Sequence, residues 1–186
     1  MRYFIGYELQ GEARDYHIKL SDSLASRFNL WKLDGYIPPH ITLKAPFETE
    51  STGEVNALLE EISRAHRKSF LYFRGFGNFS SHSVYLKVFA SMEALKVIRE
   101  VKERLTRISW MTLEDLKKGI LHASVARRIP EESFEDVWKY VCSLPQPDIK
   151  ARFDNVAIFV RDGDHWKTER LFPFQKKRAK SLVDRG

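Results

Sequence analysis

The order strand, helix, strand, strand is written twice along this chain, and each time it opens at a histidine. Pro38 and Pro39 forbid helix and bias the residues before them toward extended backbone, so His40 to Ala45 reads as a strand. Ser51-Thr-Gly-Glu54 has capping-box spacing ahead of Val55, Leu58, Leu59 and Ile62, which recur on one helical face. Phe70 to Phe79 and Ser83 to Phe89 then read as a hairpin about Ser80-Ser81-His82. The order begins again at Ile120 to Ile129, which contains His122. A helix opened by Pro130 carries Phe134, Val137, Trp138 and Val141 on one face, and Ile149 to Val160 and Trp166 to Phe174 flank an Asp162-Gly163 turn. Met1 to Leu9 is a strand ahead of the first copy, and Ser21-Asp22 caps a short helix reaching Trp31. Between the copies Ser91 caps a helix with Met92, Leu95, Ile98, Val101, Leu105 and Ile108 at helical intervals. No Gly/Ser linker separates the copies, which predicts one compact unit of two similar lobes over residues 1–174. The basic tail 175–186 has little apolar content and is expected to be poorly ordered.

With 186 residues, 43% of them hydrophobic, the chain can bury a substantial core. No apolar run approaches the length of a bilayer span, and MRYFIGYEL lacks the apolar block and cleavage site of a signal peptide. A cytoplasmic protein with no membrane partner is expected, and a monomer is favoured. The single Cys142 cannot form an internal disulfide, and no Cys/His framework for structural zinc is present. A net charge of +6 and a pI near 9.4 favour polyanionic partners.

The two histidines share a local pattern: His40-Ile-Thr42-Leu and His122-Ala-Ser124-Val both read histidine, apolar, hydroxyl, apolar. Two such matches among six histidines arise by chance on the order of once in a hundred. Strand alternation sets His40, Thr42 and Lys44 on one face, and His122, Ser124, Ala126 and Arg128 on another, each opposite apolar neighbours. One neutral imidazole and one imidazolium supply a general base and a general acid together, and two hydroxyls can donate to phosphate oxygens. The chemistry best matched is in-line attack on a phosphodiester, with no metal and no cofactor required. A serine nucleophile fits less well, because no acidic group near His122 in sequence would orient it.

PPHITLKAPF, HASV, their spacing and the closing FDNVAIFVRDGDHWKTERLFPF together resemble the two-histidine (2H) phosphoesterase superfamily, in its 2′-5′ RNA ligase and cyclic phosphodiesterase branch. The resemblance runs from Met1 to about Phe174. It implies an α+β fold: bilobal, two antiparallel sheets with pseudo-twofold symmetry, helices outside and a central cleft. It also implies catalytic roles for His40 and His122 and phosphate binding by Thr42 and Ser124. The implied activity is metal-independent hydrolysis of a 2′,3′-cyclic phosphate or 2′-5′ phosphodiester of an RNA end or small nucleotide, in some members with reversible 2′-5′ ligation. Motif two departs from many relatives in lacking a proline before the histidine, which bears on how the strand approaches the site more than on its chemistry.

Lys44 and Arg128 are secondary candidates for substrate binding. Tyr3, Tyr7 and Tyr85 are read as core rather than as a stacking surface, and His17, His66, His82 and His165 as ordinary surface histidines. The rival reading is a nucleotide- or RNA-binding module that keeps the same cleft without turnover.

Overall fold

The computed structural model describes residues 1–79, 82–111 and 120–175. Its elements run β1 (Arg2–Glu8), α1 (Gly11–Phe28), β2 (His40–Glu48), α2 (Gly53–Ala65), β3 (Ser69–Phe79), β4 (Ser83–Ala90), α3 (Met92–Leu105), β5 (His122–Arg127), α4 (Glu131–Ser143), β6 (Asp148–Phe153), β7 (Asn155–Asp162) and β8 (His165–Pro173). They form two antiparallel four-stranded sheets, β2-β1-β7-β8 and β5-β4-β3-β6. The orders are related by a pseudo-twofold: each histidine strand is an edge, and the strand beside it is β1 in one sheet and β4 in the other.

The lobes are not the two halves of the sequence. The β3/β4 hairpin that comes after the His40 strand builds the sheet holding His122, while β7 and β8, which come after the His122 strand, build the sheet holding His40. The segment expected as one strand from Ile149 to Val160 is two strands in different sheets, divided at Asp154. Buried Asn155 anchors the crossing. Its Oδ1 accepts from the Glu8 amide at 3.1 Å, and its Nδ2 donates to the Glu8 carbonyl at 3.1 Å and to Asp154 at 3.0 Å. The Tyr7 hydroxyl donates to the Arg152 carbonyl at 2.8 Å and ties the first sheet to the second. Exchanged hairpins make each lobe depend on both halves of the chain for its core.

The helices cover the outer faces. Ser91 caps α3 as expected, its Oγ accepting from the Ala94 amide at 3.2 Å, and the helix buries Ala94, Val97, Ile98, Val101 and Leu105. Each of the larger apolar side chains so buried contributes roughly 1.5–3 kcal/mol. Helix α1 begins ten residues before the expected start, at Gly11 rather than near Ser21. Its inward stripe is Ala13, His17, Leu20, Ser21 and Leu24, and the two polar members hide the apolar period in the sequence. Ser51 does not close a capping box: helix α2 starts at Gly53, whose amide donates to the Ser51 hydroxyl at 3.2 Å. The Asp162-Gly163 turn forms as predicted, with Gly163 at φ 57°. Residues 176–186, nearly all of the basic tail, lie outside the described residues, as do Ser80 and Ser81.

Candidate active site

Both histidine motifs contain the same irregularity. Along β1/β2, Gly6 pairs with Thr42 but Ile5 pairs with Lys44, leaving Leu43 as an extra residue. Along β4/β5, Tyr85 pairs with Ser124 but Val84 pairs with Ala126, leaving Val125 extra. A one-residue bulge reverses which face every later side chain takes. This corrects the expectation for Lys44. It shares the face of core residue Ile5, is only 1% exposed, and lies beside the Phe47 ring with its Nζ donating to the Ala45 carbonyl at 3.5 Å. In motif two the same reversal brings Arg127 onto the cleft face, opposite Ser83, a residue that unbroken alternation sends the other way.

His40, Thr42, His122 and Ser124 line one pocket of about 150 Å³, with Phe79, Ser83 and Arg127. The two imidazoles are held alike. His40 Nδ1 lies 2.7 Å from the Pro38 carbonyl and His122 Nδ1 lies 2.8 Å from the Ile120 carbonyl, in each case two residues upstream. A carbonyl only accepts, so each Nδ1 carries a proton and each Nε2 is the ring nitrogen left for proton transfer. Motif two reaches this geometry without a proline beside its histidine.

Each ring also rests on two aromatics. His40 packs on Phe4 and Phe159, with centroids 4.7 and 5.6 Å away, and His122 on Phe79 and Tyr85 at 4.8 and 5.1 Å. Glycine makes room for both platforms. A Cβ on Gly77 would sit 2.5 Å from the Tyr85 ring, and one on Gly6 would meet the Ile41 carbonyl at 2.6 Å and the Phe159 ring at 3.3 Å. Tyr3 and Tyr7 are core as expected, whereas Tyr85 is buried against the site itself.

Burial holds His40 down to about 4, opposed by the Pro38 carbonyl and reinforced by its neighbours His17, Arg127 and His122, which add to the cost of charging it. It is therefore neutral at pH 7. His17 is not a surface residue: it is buried in α1, with Nε2 2.7 Å from the Ser124 carbonyl and Nδ1 without a hydrogen-bond partner among the described residues. Burial lowers it to about 4 as well. As a neutral donor it fastens α1 to the backbone of motif two, behind the hydroxyl of Ser124. Its place on the apolar stripe of α1 is the one sequence signal that could have found it.

A larger chamber of about 590 Å³ opens beyond His40 and Thr42. Arg2, Arg127, Arg128 and Arg161 line it together with Trp31, Tyr36 and Trp166. Arg128, a candidate from sequence, lies here with its guanidinium 4.7 Å above the Trp31 ring. Among the described residues no group of three or more His, Cys, Asp or Glu is placed to hold a metal ion, and no helix is long and apolar enough to cross a membrane.

The 2′-5′ RNA ligase superfamily matches residues 18–165, which contain both motifs. The chain belongs to the 2′-5′ RNA ligase superfamily. Membership places it among phosphoesterases and RNA-processing enzymes and agrees with the 2H resemblance carried by the two motifs. Solved structures share the fold at low identity. TT0787 of Thermus thermophilus superposes with a TM-score of 0.69 at 16% identity, covering 94% of this chain and 98% of that one. LigT of E. coli complexed with 3′-AMP gives a TM-score of 0.56 at 12% identity over the same shares. Usb1 of Kluyveromyces marxianus gives 0.50 at 13% identity, over 92% of this chain and 97% of that one. No curated protein matches the chain.

Proposed function

We propose that this member of the 2′-5′ RNA ligase superfamily hydrolyses a 2′,3′-cyclic phosphate, or a related 2′-5′ phosphodiester, at an RNA end or on a nucleotide, without a metal. The observation that carries the reading is the meeting of His40, Thr42, His122 and Ser124 in one pocket, each imidazole fixed by a backbone carbonyl on its Nδ1. The Thr42 and Ser124 hydroxyls donate to the non-bridging oxygens and, with Arg127, take up the charge that grows on them in the transition state.

Burial keeps His40 neutral, which suits it to be the base. Its Nε2 takes a proton from the attacking water as the new O–P bond forms. His122, entering as the imidazolium, gives its Nε2 proton to the departing ribose oxygen as the old P–O bond breaks. The products are a phosphomonoester and a free hydroxyl, and the two imidazoles leave with their protonation states exchanged. Run backwards with a nucleoside hydroxyl in place of water, the same steps join two ends.

The test is hydrolysis of a nucleoside 2′,3′-cyclic phosphate in EDTA by the wild type, His40→Ala and His122→Ala. Turnover by the wild type and a loss of at least about a thousandfold in each variant are expected. Undiminished turnover in either variant would sink the mechanism, and a wild type silenced by EDTA would require a metal. Tight nucleotide binding with no product from the wild type would instead support a binding module.

A further inference from the structure

On the proposed reading the pocket of about 150 Å³ between the histidines takes one phosphate, but the positive charge beside it is far more than one phosphate needs. Arg2, Arg127, Arg128 and Arg161 line the adjoining chamber, and the carboxylate lining it is Asp164, already 3.5 Å from Arg161. Arg2, Arg127 and Arg128 have no ion-pair partner among the described residues.

The backbone has been shaped to bring these groups together. Adjacent strand residues point to opposite faces, yet Arg127 and Arg128 line one chamber because Arg128 takes a left-handed conformation with φ 56°. A non-glycine residue held there is strained. On the opposite wall, Tyr3 and Val160 pair across β1 and β7, so Arg2 and Arg161 stand one step further along neighbouring strands. Like charges so placed destabilise a sheet unless something negative lies between them. Trp31, Tyr36 and Trp166 supply flat apolar walls, and a volume of about 590 Å³ is in the range of a small-ligand site.

We propose that this chamber is a second phosphate site, and that it takes the 5′-phosphate of the nucleotide whose 2′,3′-cyclic phosphate sits between His40 and His122. The inference rests on the phosphodiesterase reading and sharpens its substrate class. A nucleoside carrying only the cyclic phosphate leaves the guanidiniums facing one another, whereas a nucleotide with phosphate at both ends of its ribose neutralises both clusters. Arg127 lines both cavities and joins the two phosphate sites. The 5′-phosphate can be a free monoester or the diester link to a preceding nucleotide, since guanidinium pairs recognise either.

The experiment compares kcat/KM for three substrates in EDTA: adenosine 2′,3′-cyclic phosphate, the same nucleoside bearing a free 5′-phosphate, and the dinucleotide ending in the cyclic phosphate. Both two-phosphate substrates are expected to exceed the first by at least tenfold. That advantage should shrink as salt rises and collapse in the Arg2→Gln/Arg161→Gln double variant. Arg161 Nε donates to the Gly163 carbonyl at 2.9 Å and supports its turn, so Arg2→Gln alone serves as a second variant and should lose part of the advantage. Lys139→Ala, on the outer helix α4, should keep all of it. Equal turnover of the three substrates would overturn the second site while leaving the phosphodiesterase intact. An advantage confined to the dinucleotide would also overturn it, by crediting the extra base rather than the phosphate. Turnover of none of them would sink the phosphodiesterase reading, and this inference with it.

Discussion

Acid is expected to destabilise this protein before its carboxylates titrate, because two imidazoles, buried His17 and half-buried His40, are held in the neutral form. In the unfolded chain His17 and His40 titrate near 6.5, whereas in the folded protein burial holds each at about 4. Between those values the unfolded chain binds protons that the folded one refuses. Stability from these groups is therefore full above pH 6.5 and is lost as the pH falls from 6.5 to about 4. The complete difference is about 3 kcal/mol for each histidine, at roughly 1.4 kcal/mol per pH unit. At pH 5 each has lost about 2 kcal/mol relative to pH 8, or about 4 kcal/mol for the pair if they act independently. Domains have roughly 5–15 kcal/mol in all, so the change is large. The assay is urea unfolding followed by tryptophan fluorescence at pH 8, 6.5 and 5 at constant ionic strength. His17→Gln keeps a donor for the Ser124 carbonyl but does not titrate, and should remove about half of the pH dependence. A wild type whose stability is flat from pH 8 to 5, or a His17→Gln variant with an undiminished slope, would refute the reasoning.

If His122 is the acid, His122→Ala should recover most of its activity on a phosphodiester with a p-nitrophenolate leaving group, which departs unprotonated, while His40→Ala should not; the reverse pattern would exchange the roles. Gly6→Ala places a Cβ 2.6 Å from the Ile41 carbonyl, between His40 and Thr42, and should cost about 1–3 kcal/mol in thermal unfolding with a fall in kcat; an unchanged melting temperature would count against the close packing. Asn155→Leu leaves the Glu8 amide and carbonyl without their partner and should cost about 2–4 kcal/mol in denaturant unfolding, where a loss below about 0.5 kcal/mol would mean that the crossing is held otherwise.

The fold class was legible because local signals and global order agree. Proline before His40, serine at the start of α3 and Asp162-Gly163 at the last hairpin each mark a boundary that the structure keeps. The exchange of hairpins between lobes was not legible, since strand pairing is set by contacts between distant segments and the break at Asp154 carries no proline or glycine. The four motif residues were visible through a repeated two-residue period. Their surroundings were hidden by bulges: an extra Leu43 withdraws Lys44 from the cleft, and an extra Val125 presents Arg127 to it, with no sequence mark at either place. His17 was hidden for another reason. A histidine on an exposed helix and one on a buried helix face read the same until the helix is known to start at Gly11.

The most direct measurement is a double-mutant cycle in kcat/KM on a nucleoside 2′,3′-cyclic phosphate, using His40→Ala, His122→Ala and both together. Groups that act on one phosphate in one step lose their effect as a unit, so the double variant should be about as slow as either single one. Independent, multiplicative losses, or full activity in either single variant, would contradict a site built half from each motif.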